Sequence, residues 1–260
     1  MPSEYEAQQI QEIEDWKNRE PKAISRFGER FLGPLTTGII KMVPEAAMLK
    51  AMELGNASGE VLARFQRIKQ KAGISEYSEL LSRELSYCDQ LAKNEQSWAV
   101  GIAATEGGVS GIFGLPGLVV DTPLIVAFAM RSIHLMGLCY GFELKNSNVN
   151  DRELAMGILS ASGANSMREK VDALQHLHAL HTTSAQLKAQ EMGVEAGGRW
   201  VLQIVVLQIT KNLARRKVVQ SIPFIGGAVG AAVNGWYIRD VCYTARRVFQ
   251  ERWLRKNNII

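Results

Sequence analysis

The residues of this 260-residue chain best placed to do chemistry are two carboxylates and three histidines. Glu106 and Asp121 bracket the most apolar stretch of the sequence, where a buried carboxylate requires a partner. Two carboxylates whose surroundings split their pKa values can act as acid and base in a hydrolase. Glu106 and Asp121 are therefore the candidate catalytic pair, with Arg131, Arg239 and Asn234 as candidate partners across paired helices. His176, His178 and His181 fall in one short run. On a helix His178 and His181 share a face while His176 points away, and no carboxylate or thiolate follows at ligand spacing, so the run predicts hydrogen bonding and no metal site. Gly107-Gly108-Val109-Ser110-Gly111 has the outline of a nucleophile elbow but lacks the strand an elbow needs. No phosphate-binding loop, zinc-protease or dinucleotide fingerprint occurs, and no cofactor is expected.

A second set of residues points to an anionic surface. Acids crowd the start of the chain (Glu4, Glu6, Glu12, Glu14, Asp15), whereas Arg215, Arg216 and Lys217, then Arg246, Arg247 and Arg252, make the later part basic; the formal net charge is +4. These six basic residues are the candidate lipid- or partner-binding set. Trp253 and Phe249 interleave with the last of them, but a solvated basic face over a buried aromatic stripe accounts for the pattern, and no nucleic acid is expected. The three cysteines, Cys88, Cys139 and Cys242, are widely spaced with no paired motif, as expected of buried reduced thiols. The first residues are acidic and lack the basic and apolar regions of a secretory signal, which predicts a cytoplasmic protein.

The elements that must position these residues are helices. Strand signals are nearly absent and apolar residues recur at helical spacing, so the chain is predicted to be all-α, a multi-helix bundle with two glycine-rich apolar helical hairpins. Helices are expected over Ser3–Arg19, Lys22–Val43, Pro44–Leu54, Gly59–Lys71, Ser75–Lys93, Gln96–Phe113, Asp121–Tyr140, Asp151–Ser160, Ser166–Leu187, Trp200–Lys217 and Val229–Lys256. Gly114-Leu115-Pro116-Gly117 predicts a turn, with Asp121 or Thr122 capping the next helix and Pro123 in its first turn. Ser160–Ala164 reads as a small-residue linker. Glycine inside a helix costs about 1 kcal/mol relative to alanine, so its concentration in Gly101–Gly117 and Ile222–Gly235 implies close backbone packing, hinging or tight turns. The uncharged run Val218–Ile238 nears spanning length, but Pro223 and its polar residues make it a poor bilayer helix. Residues 1–20 read as an acidic helical extension and residues 21–257 as one helical domain.

Several of these motifs, in order, resemble the EcsC family. Gly114-Leu115-Pro116-Gly117, Asp121-Thr122-Pro123, Arg131 and Tyr140-Gly141-Phe142-Glu143 are similar to its central element, in which an aspartate-x-proline step precedes a tyrosine-glycine-phenylalanine with an acid. Ile222-Pro223-Phe224-Ile225-Gly226-Gly227-Ala228-Val229-Gly230 with Asn234 is similar to its second glycine-rich element. The likeness spans about residues 22–255; Glu143 stands where aspartate is frequent. It implies structural roles for Gly114, Pro116, Gly117, Asp121, Pro123, Arg131, Tyr140, Gly141, Pro223, Gly226, Gly230 and Asn234. It implies further a bacterial, membrane-associated accessory protein with no catalytic residues to transfer, in a family named for an operon of an ABC-type transporter linked to secretion.

The expected function is thus a non-enzymatic protein, peripheral at the inner membrane, that binds an anionic membrane surface or a membrane protein and acts with a partner such as an ABC-type transporter or secretion system. The rival expectations are a hydrolase acting on lipid or envelope precursors through Glu106 and Asp121, and a membrane-inserting effector.

Overall fold

The computed structural model describes residues 2–21, 59–110, 114–145, 148–164, 166–179 and 226–260. Within them the chain is helical and no strand occurs. The helices are α1 (Glu4–Asn18), α2 (Gly59–Ala72), a 3-10 turn (Tyr77–Ser82), α3 (Leu85–Ser110), α4 (Gly114–Cys139), α5 (Val149–Gly163), α6 (Met167–Ala179) and α7 (Gly226–Lys256). The segments expected as helices over Lys22–Val43, Pro44–Leu54 and Trp200–Lys217 lie outside the described residues, as do residues 222–225 of the second glycine-rich stretch.

Local chemistry sets the ends of several helices. Ser3 and Glu6 form a capping box at the start of α1: the Glu6 amide donates to Ser3 Oγ at 3.2 Å and the Ser3 amide to Glu6 Oε2 at 2.7 Å. α2, α4 and α7 end alike. In each, a residue with positive φ (Gly73, Gly141, Asn258) follows the last turn; its amide bonds back to the carbonyl three residues earlier (Gln70, Leu138, Arg255) and the next amide to the carbonyl five residues earlier (Lys69, Gly137, Leu254), a Schellman motif.

Three expected boundaries are corrected. Gly114-Leu115-Pro116-Gly117 is the first turn of α4 rather than a loop: Pro116 falls where a helix leaves its amides unbonded, so its missing N–H costs nothing. Asp121 is consequently an interior residue of α4 and no N-cap. The helix expected over Ser75–Lys93 breaks at Arg83, and α3 then runs unbroken through the expected Lys93–Gln96 gap. Ser160–Gly163 is helix, not linker; Ser160, Ala161 and Ser162 are buried, and their small size serves packing.

The core lies where α3, α4, α5 and α7 meet, with α1 laid across α3 and α7. α3 runs antiparallel to α4, as the Trp98–Phe128 ring contact (6.5 Å) and the Asp89–Tyr140 hydrogen bond show. It also runs antiparallel to α7, since Gln96 meets Arg246 and Asp89 meets Gln250. No helix among the described residues is long and apolar enough to cross a membrane.

Candidate functional site

The densest polar cluster is built around Asp89, which sequence reasoning passed over. Asp89 stands on α3 beside Cys88 and is 1% exposed. Its carboxylate accepts from the Tyr5 hydroxyl at 2.6 Å, from the Tyr140 hydroxyl, and from Gln250 Nε2 at 2.6 and 2.8 Å. Four segments (α1, α3, the end of α4 and α7) thereby converge on one buried charge. Burial first, then the hydrogen bond and charge of Asp89, pushes the Tyr5 phenol up; burial and the Asp89 charge do the same to Tyr140, so both remain donors.

A second layer continues from Gln250. Arg247 Nη1 donates to Gln9 Oε1 and Gln250 Oε1, each at 3.0 Å, and Nη2 to Glu12 Oε2 at 2.5 Å. Burial opposes the Arg247 charge, but its bonds to Tyr243 and Glu12 outweigh burial and raise its pKa. Burial likewise works against Glu12, and the Arg247 bond and charge reverse that and lower its pKa. Arg246 is buried too, with Nη1 on Gln96 Oε1 at 3.1 Å.

Arg246 and Arg247, expected to face lipid or a partner, are buried and hydrogen-bonded inside the protein. Arg252 is half-buried with its guanidinium 5.1 Å from the Phe142 ring centre, and burial lowers its pKa against the opposing charge of Asp151. Arg215, Arg216, Lys217 and Pro223 lie outside the described residues.

The tyrosine-glycine-phenylalanine step is a corner. Tyr140 reaches Asp89, Gly141 turns the chain at φ +85, and Phe142 stacks on Phe249 with ring centres 5.9 Å apart. A Cβ at Gly141 would stand 2.9 Å from Leu81 Cγ and 3.0 Å from Leu81 N; one at Gly137 would meet the Phe142 carbonyl at 2.9 Å. Both glycines are required by contact with backbone, and Gly141 by its conformation as well.

Gly114, Pro116, Gly117, Asp121 and Pro123 lie in α4, Glu106 in α3, and Gly226, Gly230 and Asn234 in α7. The α3–α4 register brings the backbone of Glu106 level with that of Asp121. Arg131 is half-buried on α4. His176 and His178 lie in α6, while His181 is outside the described residues. Among the described residues no group of three or more His, Cys, Asp or Glu is placed to hold a metal ion.

A second buried acid, Glu95, accepts from Arg64 Nε at 2.5 Å and lies 3.6 Å from Lys71 Nζ, tying α2 to α3. Burial pushes Cys88 and Cys242 up to about 12 and Cys139 well above its ordinary value, so all three stay protonated and unreactive. With its acceptors filled, Asp89 is equipped to lock helices together and not to take a proton from a substrate.

Phase along the helices was the signal that could have found this cluster. Asp89 follows Leu85 by one turn on the buried stripe of α3, and Gln250 continues the Tyr243–Arg246–Arg247 line of α7.

The EcsC protein family model matches residues 7–254. Among curated proteins, YdbA of Bacillus subtilis (strain 168), described as uncharacterized, is 21% identical over 271 residues, covering 97% of this chain and 95% of YdbA. Protein EcsC of the same organism is 22% identical over 253 residues, covering 95% of each chain. No solved structure matches.

Proposed function

Because the chain belongs to the EcsC protein family, we propose that it is a peripheral membrane accessory protein that acts with an integral membrane partner, for which an ABC-type transporter or secretion system is the candidate. The observation that carries this reading is the separation of positive charge from the glycine-rich segments. Lys and Arg are absent from residues 94–130, and residues 218–238 carry no charge of either sign. Yet no described helix is long and apolar enough to span a bilayer. Cation-free stretches whose described helices are not long and apolar enough to cross a bilayer suit attachment to a membrane face.

The polar cluster fits a structural role beside that task. Asp89, Tyr140, Gln250 and Arg247 fix the helices that carry the cation-free segments, while the chemistry offered by Asp89 is closed.

Cell fractionation tests the reading. Tagged protein is expected in the membrane fraction and released by alkaline carbonate without detergent. Recovery wholly in the soluble fraction at low salt contradicts it.

A second reading, a hydrolase of lipid or envelope precursors, draws on the register that levels Glu106 with Asp121. It requires turnover that both Glu106→Gln and Asp121→Asn abolish.

A further inference from the structure

Attachment to a membrane face leaves open which surface meets lipid and how deeply; the helix register answers both. An added Cβ at Gly235 would lie 3.5 Å from Ala104 Cβ, so the start of α7 packs on the last turns of α3. α4 begins beside the end of α3. The cation-free parts of α3, α4 and α7 therefore share one pole of the bundle. The register that puts Gly137 against Phe249, and Ser132 in hydrogen-bond contact with Cys242, brings Leu124 on α4 level with Trp236 on α7. These two large apolar side chains are 65% and 45% exposed.

Charge changes across that ring. About one turn nearer the middle of the bundle stand the exposed Arg239, 3.8 Å from Asp240, and the half-buried Trp98, whose ring lies 4.4 Å from the guanidinium of Arg64, itself paired with the buried Glu95. Beyond it, toward the pole, no Lys or Arg occurs in α3, α4 or α7. Cations with an aromatic, then Trp and Leu, then a cation-free end is the order met in passing from water through headgroups to the acyl boundary.

Given membrane attachment, on which this inference rests, we propose that the pole enters one leaflet of an anionic phospholipid bilayer end-on, with Leu124 and Trp236 at the headgroup boundary and Arg239 facing the phosphates. Glu106 and Asp121 fall within about one turn of the ring, at headgroup depth. Gly114, seven residues beyond Asp121 along α4, then lies about 10 Å farther at 1.5 Å per residue, the depth of an interfacial insertion. The opposite, arginine-bearing end of α7 takes no part, since Arg246 and Arg247 are already spent inside the fold.

The test uses the full chain carrying Leu124→Cys labelled with bimane; the native cysteines are buried and do not compete. Vesicles of phosphatidylcholine and phosphatidylglycerol, with and without shallow doxyl lipid, are added, and Glu14→Cys on the exposed side of α1 serves as control. Bimane at 124 is expected to shift blue and be quenched by doxyl, with no change at 14. A Leu124→Glu/Trp236→Glu variant that keeps its helical signal and melting temperature is expected to partition at least tenfold more weakly. Vesicle-bound protein whose bimane at 124 stays as solvated as in buffer, or undiminished binding of the double variant, overturns end-on insertion while leaving membrane attachment standing. A shift seen with native membranes but not with pure lipid assigns the pole to a protein partner and equally overturns it. Absence of any binding to lipid or native membranes removes the parent reading and this one together.

Discussion

At the scale of residues, four positions carry sharply different risks. Gly141 turns the chain at φ +85 with Leu81 atoms within 3.0 Å of a would-be Cβ. Gly141→Ala is expected to cost roughly 2–4 kcal/mol from left-handed strain and overlap, read by urea unfolding; a loss under about 0.5 kcal/mol would contradict the corner as described. Asp89→Ala removes the shared acceptor of Tyr5, Tyr140 and Gln250, leaving Gln250 Nε2 only Gln9, and should cost about 3 kcal/mol, whereas Tyr5→Phe removes one bond at the edge and should cost about 1 kcal/mol. The pair of values separates a hub from a chain of equal contacts. His134, buried on α4, is pulled down to about 4 by desolvation, opposed by a bond involving the Leu144 backbone. Between its ordinary 6.5 and about 4 the unfolded chain binds the extra proton, so stability falls as pH drops through that window, by about 3 kcal/mol in all at 1.36 kcal/mol per pH unit. His134→Gln should flatten that part of the stability–pH curve. The tyrosine-glycine-phenylalanine step was legible because the resemblance marked it. Asp89 was not, because one acid on a helix looks alike whether it faces water or three donors from elsewhere in the chain.

At the scale of elements, the glycines separate into kinds that composition cannot tell apart. Gly101 has no atom within 4 Å of a would-be Cβ, so Gly101→Ala is expected to stabilise by about 0.5–1 kcal/mol through helix propensity. Gly235 sits at the α3–α7 contact with ordinary van der Waals room for a methyl group and no more. Gly235→Ala should be near neutral, and Gly235→Leu should cost about 2 kcal/mol by forcing the helices apart. Melting curves of the three variants decide whether helical glycine means close packing here: close approach holds at Gly235 and fails at Gly101. Helix existence was legible from periodicity, and the start of α1 was placed within one residue, at its N-cap Ser3. The start of α4 was misplaced because Gly-Leu-Pro-Gly suits a first helical turn as well as a loop. The 3-10 break before α3 was missed because Leu81, Leu85 and Cys88 keep helical phase across it.

At the scale of the molecule, the chain is all-α in its described parts, belongs to the EcsC protein family, and has charge arranged by position along the bundle. Arginine-rich α7 suggested a basic lipid face from sequence, since a cation on an amphipathic helix is ordinarily solvated. Burial of Arg246 and Arg247 against Gln96, Gln9 and Glu12 takes these two out of that face, and among the described residues the ends of α3, α4 and α7 without Lys or Arg are the surface to explain. α1 completes the interior: Gln9, Ile13 and Trp16 are buried, and the Lys170 amine caps its end by donating to the Trp16 carbonyl and, at 2.8 Å, to that of Arg19. Attachment through the pole should weaken with salt without vanishing, because apolar contact adds to the attraction between cations and anionic lipid. Flotation of the intact protein through a density gradient with anionic vesicles tests this most directly. The account predicts that it rises with the vesicles at low salt and in part at about 0.5 M salt, where screening is nearly complete beyond a few ångströms; protein that stays at the bottom of the gradient with every lipid composition would contradict it.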